Sequence, residues 1–108
     1  MPQLPVDQVR AAAAEGRVEW SRHVLERMAA RNLALAVVKE ALQTGEIIEE
    51  YPEDEPYPSG LFLGWVEDEA VHAVAAFEAS RRVVYIITAY RPDEDHFGPD
   101  RRTRRTQR

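Results

Sequence analysis

The chain has 108 residues, which is enough for one domain with a single hydrophobic core. Its apolar fraction of 44% excludes a fully disordered chain, and its lack of cysteine excludes disulfides, thiolate metal sites and a cysteine nucleophile. No apolar run approaches the roughly 20 residues of a membrane span and no signal peptide is recognisable, so we expect a cytoplasmic protein that is not bound to a membrane. Residues 1–100 carry 19 acidic and nine basic side chains, and residues 101–108 add five arginines to give a net charge of −5.

Helical spacing of apolar residues dominates the first half of the chain. It predicts helices over residues 5–15, 21–31 and 34–44. Ser21 is a good N-cap for the second helix, and Asn32 suits the corner before the third. Residues 17–20 alternate polar and apolar side chains, which predicts a short strand before the second helix.

From residue 46 onward the spacing of apolar residues changes to that of β-strands. It predicts strands over residues 46–51, 61–67, 70–78 and 82–90. An acidic, proline-rich loop separates the first two, and Gly64 inside the second indicates a bulge or a close approach of another backbone. Short linkers favour antiparallel pairing. We therefore predict an α+β domain over residues 1–100, with helices on one face of a four-stranded antiparallel sheet, followed by a flexible arginine-rich tail, 101–108.

The same periodicities predict which side chains form the core. The expected core residues are Leu25, Met28, Val37, Val38, Leu42, Ile48, Leu61, Leu63, Val74, Ile86 and one face of Trp20.

The second helix carries the most informative polar pattern. His23, Arg27 and Arg31 are spaced four residues apart, so they lie within about 80° on one helical face. Arginine offers a planar fork to phosphate and histidine transfers protons near neutral pH, so this face is suited to an anionic substrate. The alternative is an ordinary solvated face, with pairs such as Arg22–Glu26.

Polar residues on the last two long strands are further candidates. His72 lies within an apolar strand, where a histidine is more often a hydrogen-bonded, semi-buried residue than a catalytic one. Thr88 and Tyr90 share a face of the last strand and are suited to orienting a substrate, although both are also good strand formers. We expect His23, Arg27 and Arg31 to line one concave surface with Thr88 or Tyr90.

No cofactor or metal site is predicted. His23, His72 and His96 lack ligand spacing, and no phosphate-binding glycine motif or nucleophile elbow is present.

Four blocks of sequence resemble one family: SRHVLERMAARNL (21–33), GEIIEEY (45–51), PYPSGLFLG (56–64) and IITAYRP (86–92). Together they resemble the bacterial domain family of unknown function numbered 4258, over about residues 17–100. The positions that match the family motifs are His23, Arg27, Arg31, Gly45, Tyr51, Ser59, Gly64, His72, Thr88, Tyr90 and Pro92.

The resemblance implies a relation to RelE-like and BrnT-like toxins, a fold like that of microbial ribonucleases, and a cognate antitoxin as partner. Metal-free RNA cleavage needs a base, an acid and a cation for the phosphate. His23, His72 and Tyr90 are the candidate catalytic residues, and Arg27, Arg31 and Thr88 the candidate substrate-binding ones. The alternative function is a non-catalytic module that binds protein or nucleic acid, because the acidic body repels RNA unless basic residues are concentrated in one cleft.

Overall fold

A computed structural model describes residues 4–93 and 97–101 of the chain. Helices lead the chain and long strands follow, as the periodicities predict. The elements are α1 (Val6–Ala14), β1 (Val18–Trp20), α2 (Arg22–Ala30), α3 (Leu35–Thr44), β2 (Glu46–Tyr51), β3 (Ser59–Val66), β4 (Glu69–Glu78) and β5 (Val83–Tyr90). Each predicted helix and long strand is confirmed to within two residues at its ends. Residues 102–108 of the predicted tail lie outside the described residues, as does His96.

The sheet has five strands rather than the four that the sequence predicts. Its order is β1-β5-β4-β3-β2, in which β2 to β5 form the predicted antiparallel meander. The short strand β1 adds to the free edge of β5 in parallel, with Val18 opposite Val84 and Trp20 opposite Ile86. The prediction of an all-antiparallel sheet is therefore wrong, because three residues of sequence do not reveal a pairing partner so far along the chain.

Helix α2 begins at the predicted cap. The Ser21 hydroxyl accepts a hydrogen bond from the backbone N–H of Val24 at 3.1 Å, which satisfies one of the unpaired donors at the helix start. Val24 and Met28, one turn apart, are the buried residues of this helix. Leu25 was expected in the core but is 37% exposed, because α2 buries only a narrow stripe.

The main core lies between the helices and one face of the sheet. Its largest members include Phe62, Met28 and Leu42, all buried. The predicted core residues Val38, Leu61, Leu63 and Ile86 are buried as well. Trp20, Val37, Ile48 and Val74 are only half-buried.

Strand β5 has an irregular and partly uncovered second half. Strand β1 pairs with residues 84–86 alone, so among the described residues no strand covers that edge of residues 87–90. The register between β4 and β5 also shifts, because Val74 is opposite Thr88 while Ala75 is opposite Ile86. This leaves Ile87 as an extra residue of a β-bulge, a feature that often re-aims side chains near functional sites. Helix α2, which follows β1 directly, lies beside this part of β5.

Candidate functional site

A cleft of about 90 Å³ lies between α2 and the uncovered half of β5, and we call it the α2–β5 cleft. Its volume is suited to a few water molecules or one phosphate-sized group. It is lined by His23, Val24, Arg27, Arg31, Ile87, Thr88 and Ala89. The three polar residues predicted from helical spacing therefore line one surface together with Thr88.

Arg31 connects the helix to the strand. Its Nη1 donates to the backbone oxygen of Ala89 at 2.9 Å and lies 3.5 Å from the hydroxyl of Thr88. One nitrogen of the guanidinium is thus held by the end of β5. The remaining N–H groups of Arg31 keep their donor capacity for an anion, since a guanidinium carries five donors.

His23 and Arg27 are exposed, and neither side chain has a hydrogen-bond or ion-pair partner within residues 4–93 and 97–101. Glu26, the only acid of α2, is paired instead with Arg22 at 3.1 Å. No carboxylate belongs to the described lining of the cleft. A chain with a net charge of −5 therefore concentrates positive charge at this one concave surface.

The α2 C-terminus is fixed by a third arginine that the sequence did not single out. Arg91 Nη1 lies 3.3 Å from the backbone oxygen of Arg31 and 3.5 Å from that of Asn32. Its Nε donates to the Glu69 carboxylate at 3.0 Å. A cation at the last carbonyls of a helix also interacts favourably with the helix dipole. Arg91 therefore holds the end of α2 beside the sheet and supports the position of Arg31.

His72 and Tyr90 do not reach the α2–β5 cleft. His72 is 0% exposed, and its Nε2 donates to the backbone oxygen of Arg101 at 2.6 Å. Because a carbonyl only accepts, Nε2 carries the proton and Nδ1 faces the Tyr90 hydroxyl at 3.4 Å. The ring of Phe97 packs edge-on against the imidazole, with centroids 4.5 Å apart. Residues that follow β5 bury His72 outside the α2–β5 cleft, so the hydrogen-bonded alternative describes its surroundings.

A family model matches residues 20–91, two thirds of the chain, and its description is a domain of unknown function, DUF4258. The chain belongs to the DUF4258 family. The match contains α2, β5 and every lining residue of the cleft in this DUF4258 domain. No curated protein and no solved structure matches the chain.

A separate polar cluster of the DUF4258 domain involves Tyr85. Its hydroxyl donates to Glu78 at 2.7 Å, and its ring stacks on Tyr57 with centroids 5.4 Å apart. The hydrogen bond to the Glu78 carboxylate, with a smaller effect of burial, raises the pKa of Tyr85 to about 12. This phenol therefore keeps its proton to a higher pH than a free tyrosine and acts as a hydrogen-bond donor to Glu78.

Within the described parts of the DUF4258 domain, no three His, Asp or Glu side chains form a group able to hold a metal ion. No described helix is long and apolar enough to cross a membrane. The cleft residues that sequence analysis missed are Val24, Ile87 and Ala89. They contribute apolar walls and a backbone oxygen, for which neither composition nor periodicity carries a signal.

Proposed function

We propose that this DUF4258 domain is a toxin-like endoribonuclease, related to the RelE-like toxins and restrained in its host by a cognate antitoxin. The observation that carries the proposal is the α2–β5 cleft, in which an imidazole and two guanidiniums converge with no carboxylate among the described lining residues. A cleft of about 90 Å³ has room for one phosphodiester group.

The residues divide into two roles. Arg27 and Arg31 bind the phosphate, and their charge stabilises the additional negative charge of a pentavalent transition state. These guanidiniums neutralise the phosphate charge that a bound metal ion neutralises in other nucleases. His23, at the rim of the same cleft, transfers the proton between the 2′-hydroxyl or leaving oxygen and solvent. The Thr88 hydroxyl, close to Arg31, completes the set of donors to the phosphate.

A second function is favoured by a specific observation. His72 is buried and hydrogen-bonded outside the cleft, so His23 is the single imidazole among the described lining residues. Cleavage that uses a separate general acid and general base would then need water or a group of the RNA to act as one of the two. The alternative is a non-catalytic module that binds RNA through the same cleft.

The experiment compares four full-length proteins: wild type, Arg27→Ala, His23→Ala and the control Arg22→Ala. Arg22 lies on the same helix but outside the cleft, paired with Glu26. Binding to a single-stranded RNA and cleavage of RNA in EDTA, with and without ribosomes, are measured for each.

For a nuclease, Arg27→Ala should weaken RNA binding roughly 10- to 100-fold, the value of one charge-assisted hydrogen bond. It should also reduce the slope of the salt dependence by about 0.7, the value for one phosphate of a single strand that is no longer neutralised. His23→Ala should slow cleavage roughly 10²- to 10⁴-fold with little change in binding. Arg22→Ala should match wild type.

Expression in a bacterium provides the cellular test. Wild type should slow growth, and the combined His23, Arg27 and Arg31 alanine variant should not. RNA binding without cleavage by the wild type, even with ribosomes, supports the binding module. If wild type neither binds nor cleaves RNA, both functions are refuted.

A further inference from the structure

A second recess, of about 250 Å³, lies where the β3–β4 turn meets the segment that follows β5. We call it the Trp65 recess. Trp65 and Ala70 line it from the hairpin, and Arg91 and Pro92 line it from the end of β5. Neither the predicted site nor the proposed cleavage uses these residues.

Trp65 is the one exposed residue of β3, whose other seven residues are all buried. The residue is 51% exposed although tryptophan gains more than most residues from burial. Its cross-strand neighbour is Ala70, whose methyl group covers little of the indole. The strand therefore presents a large, flat aromatic surface to solvent inside a concave site.

The charges of the recess balance, unlike those of the α2–β5 cleft. Arg91 and Arg101 are opposed by Asp68 and Glu69, and the Glu69 carboxylate is already bound by Arg91 at 3.0 Å. Such a site has little attraction for a phosphate. An exposed indole beside guanidinium groups is instead suited to the flat, uncharged ring of a nucleobase.

Arg91 joins the two sites. It lines the Trp65 recess and, through Nη1, contacts the backbone oxygen of Arg31, whose side chain lines the α2–β5 cleft. The recess and the cleft are therefore connected through Arg91 and the C-terminal end of α2. A flexible single strand with a phosphate in the cleft would have to extend past Arg91 to place another of its bases in the recess.

We infer that Trp65 stacks an unpaired nucleobase of the RNA strand whose phosphate occupies the α2–β5 cleft. This inference rests on the proposed RNA-directed function and adds that the substrate is single-stranded. A duplex keeps its bases stacked on one another and presents none to an indole.

The test measures binding of a fluorescein-labelled single-stranded RNA of about ten nucleotides to full-length wild type, Trp65→Ala, Trp65→Phe and Arg27→Ala. Because Trp65 is half exposed, its variants should unfold at nearly the wild-type temperature, which circular dichroism checks. Trp65→Ala should weaken binding roughly 5- to 150-fold, the range for one aromatic–base stack. Trp65→Phe should recover most of the affinity, since it keeps a stacking surface.

Salt dependence separates the two sites. Trp65→Ala should leave the slope of log affinity against log salt unchanged, whereas Arg27→Ala should reduce it. Bound RNA should also protect the fluorescence of Trp65 from quenching by iodide. Trp20, the other tryptophan, is less exposed and provides the background signal.

The inference is overturned, with the proposed function intact, if Trp65→Ala binds RNA like wild type while Arg27→Ala binds weakly. It is also overturned if Trp65→Ala changes only the sedimentation of the protein, because Trp65 would then be a contact between two copies of the chain. Failure of wild type to bind RNA at all refutes the proposed function as well.

Discussion

Gly64 allows helix α3 to approach the sheet closely, and Gly64→Ala tests how much the fold depends on that approach. A Cβ at this position would lie 2.5 Å from Cα, 2.7 Å from the backbone oxygen and 2.8 Å from Cβ of Ala41. Contacts under 3.0 Å are essentially never seen for a real Cβ. All three atoms belong to the helix backbone or to its first side-chain carbon, so no rotamer change relieves the overlap.

Helix α3 must therefore shift outward by several tenths of an ångström along its contact with β3. Over-packing of this kind costs about 1–3 kcal/mol, and we expect the upper end because the backbone itself must move. For a domain of this size, about 3 kcal/mol corresponds to a fall in Tm of roughly 10–25 °C.

Thermal and urea unfolding, followed by circular dichroism, measure the effect. Gly16→Ala is the matched control, because Gly16 has nothing within 4 Å of an added Cβ and its φ of 80° carries only the cost of a left-handed conformation, about 1 kcal/mol. The packing argument is refuted if Gly64→Ala is no less stable than Gly16→Ala.

Four further variants test other parts of the structure. Ser21→Ala should lower the free energy of unfolding by about 1 kcal/mol through removal of the α2 cap, and an unchanged urea midpoint would contradict this. Met28→Ala, at a buried site, should cost about 2–5 kcal/mol, whereas Leu25→Ala on the same helix should cost about 1 kcal/mol or less; equal destabilisation in urea unfolding would contradict the burial difference. The raised pKa of Tyr85 means that the folded state keeps a proton that the unfolded state releases, so the Tyr85–Glu78 contribution to stability is present below pH 10 and lost between pH 10 and about 12. In Tyr85→Phe, the free energy of unfolding measured in urea should fall less steeply between pH 10 and about 12 than in wild type. An unchanged pH dependence would show that Tyr85 does not cause this loss of stability.

Local patterns were sufficient to predict most of the fold. Helical and strand periods located the three helices and the four long strands, and the Ser21 cap and the close approach at Gly64 were both confirmed. These features depend on residues near one another in the chain or on one residue's own geometry. The pairing of β1 with β5 depends on neither, so the short strand over residues 17–20 was predicted but its place in the sheet and its parallel direction were missed.

The candidate site was likewise predicted where local geometry determines it and missed where distant parts of the chain determine it. The four-residue spacing of His23, Arg27 and Arg31 correctly placed them on one surface, because a helix fixes their relative positions. Strand alternation could not indicate what covers each face of the sheet, so both roles of His72 stayed open although Phe97 and Arg101 bury it. The bulge at Ile87, which helps to form the cleft wall, has no signal in the sequence.

The parallel pairing of β1 with β5 also determines when the α2–β5 cleft comes into existence during synthesis. Strand β1 precedes α2, but its partner is the last strand of the sheet. At about 5–20 residues per second, the ribosome adds residue 90 roughly 3–12 s after residue 31. During that interval the nascent chain has the arginines of α2 but not the strand against which they form a cleft. A product terminated before residue 87 would therefore contain the cationic helix without the α2–β5 cleft.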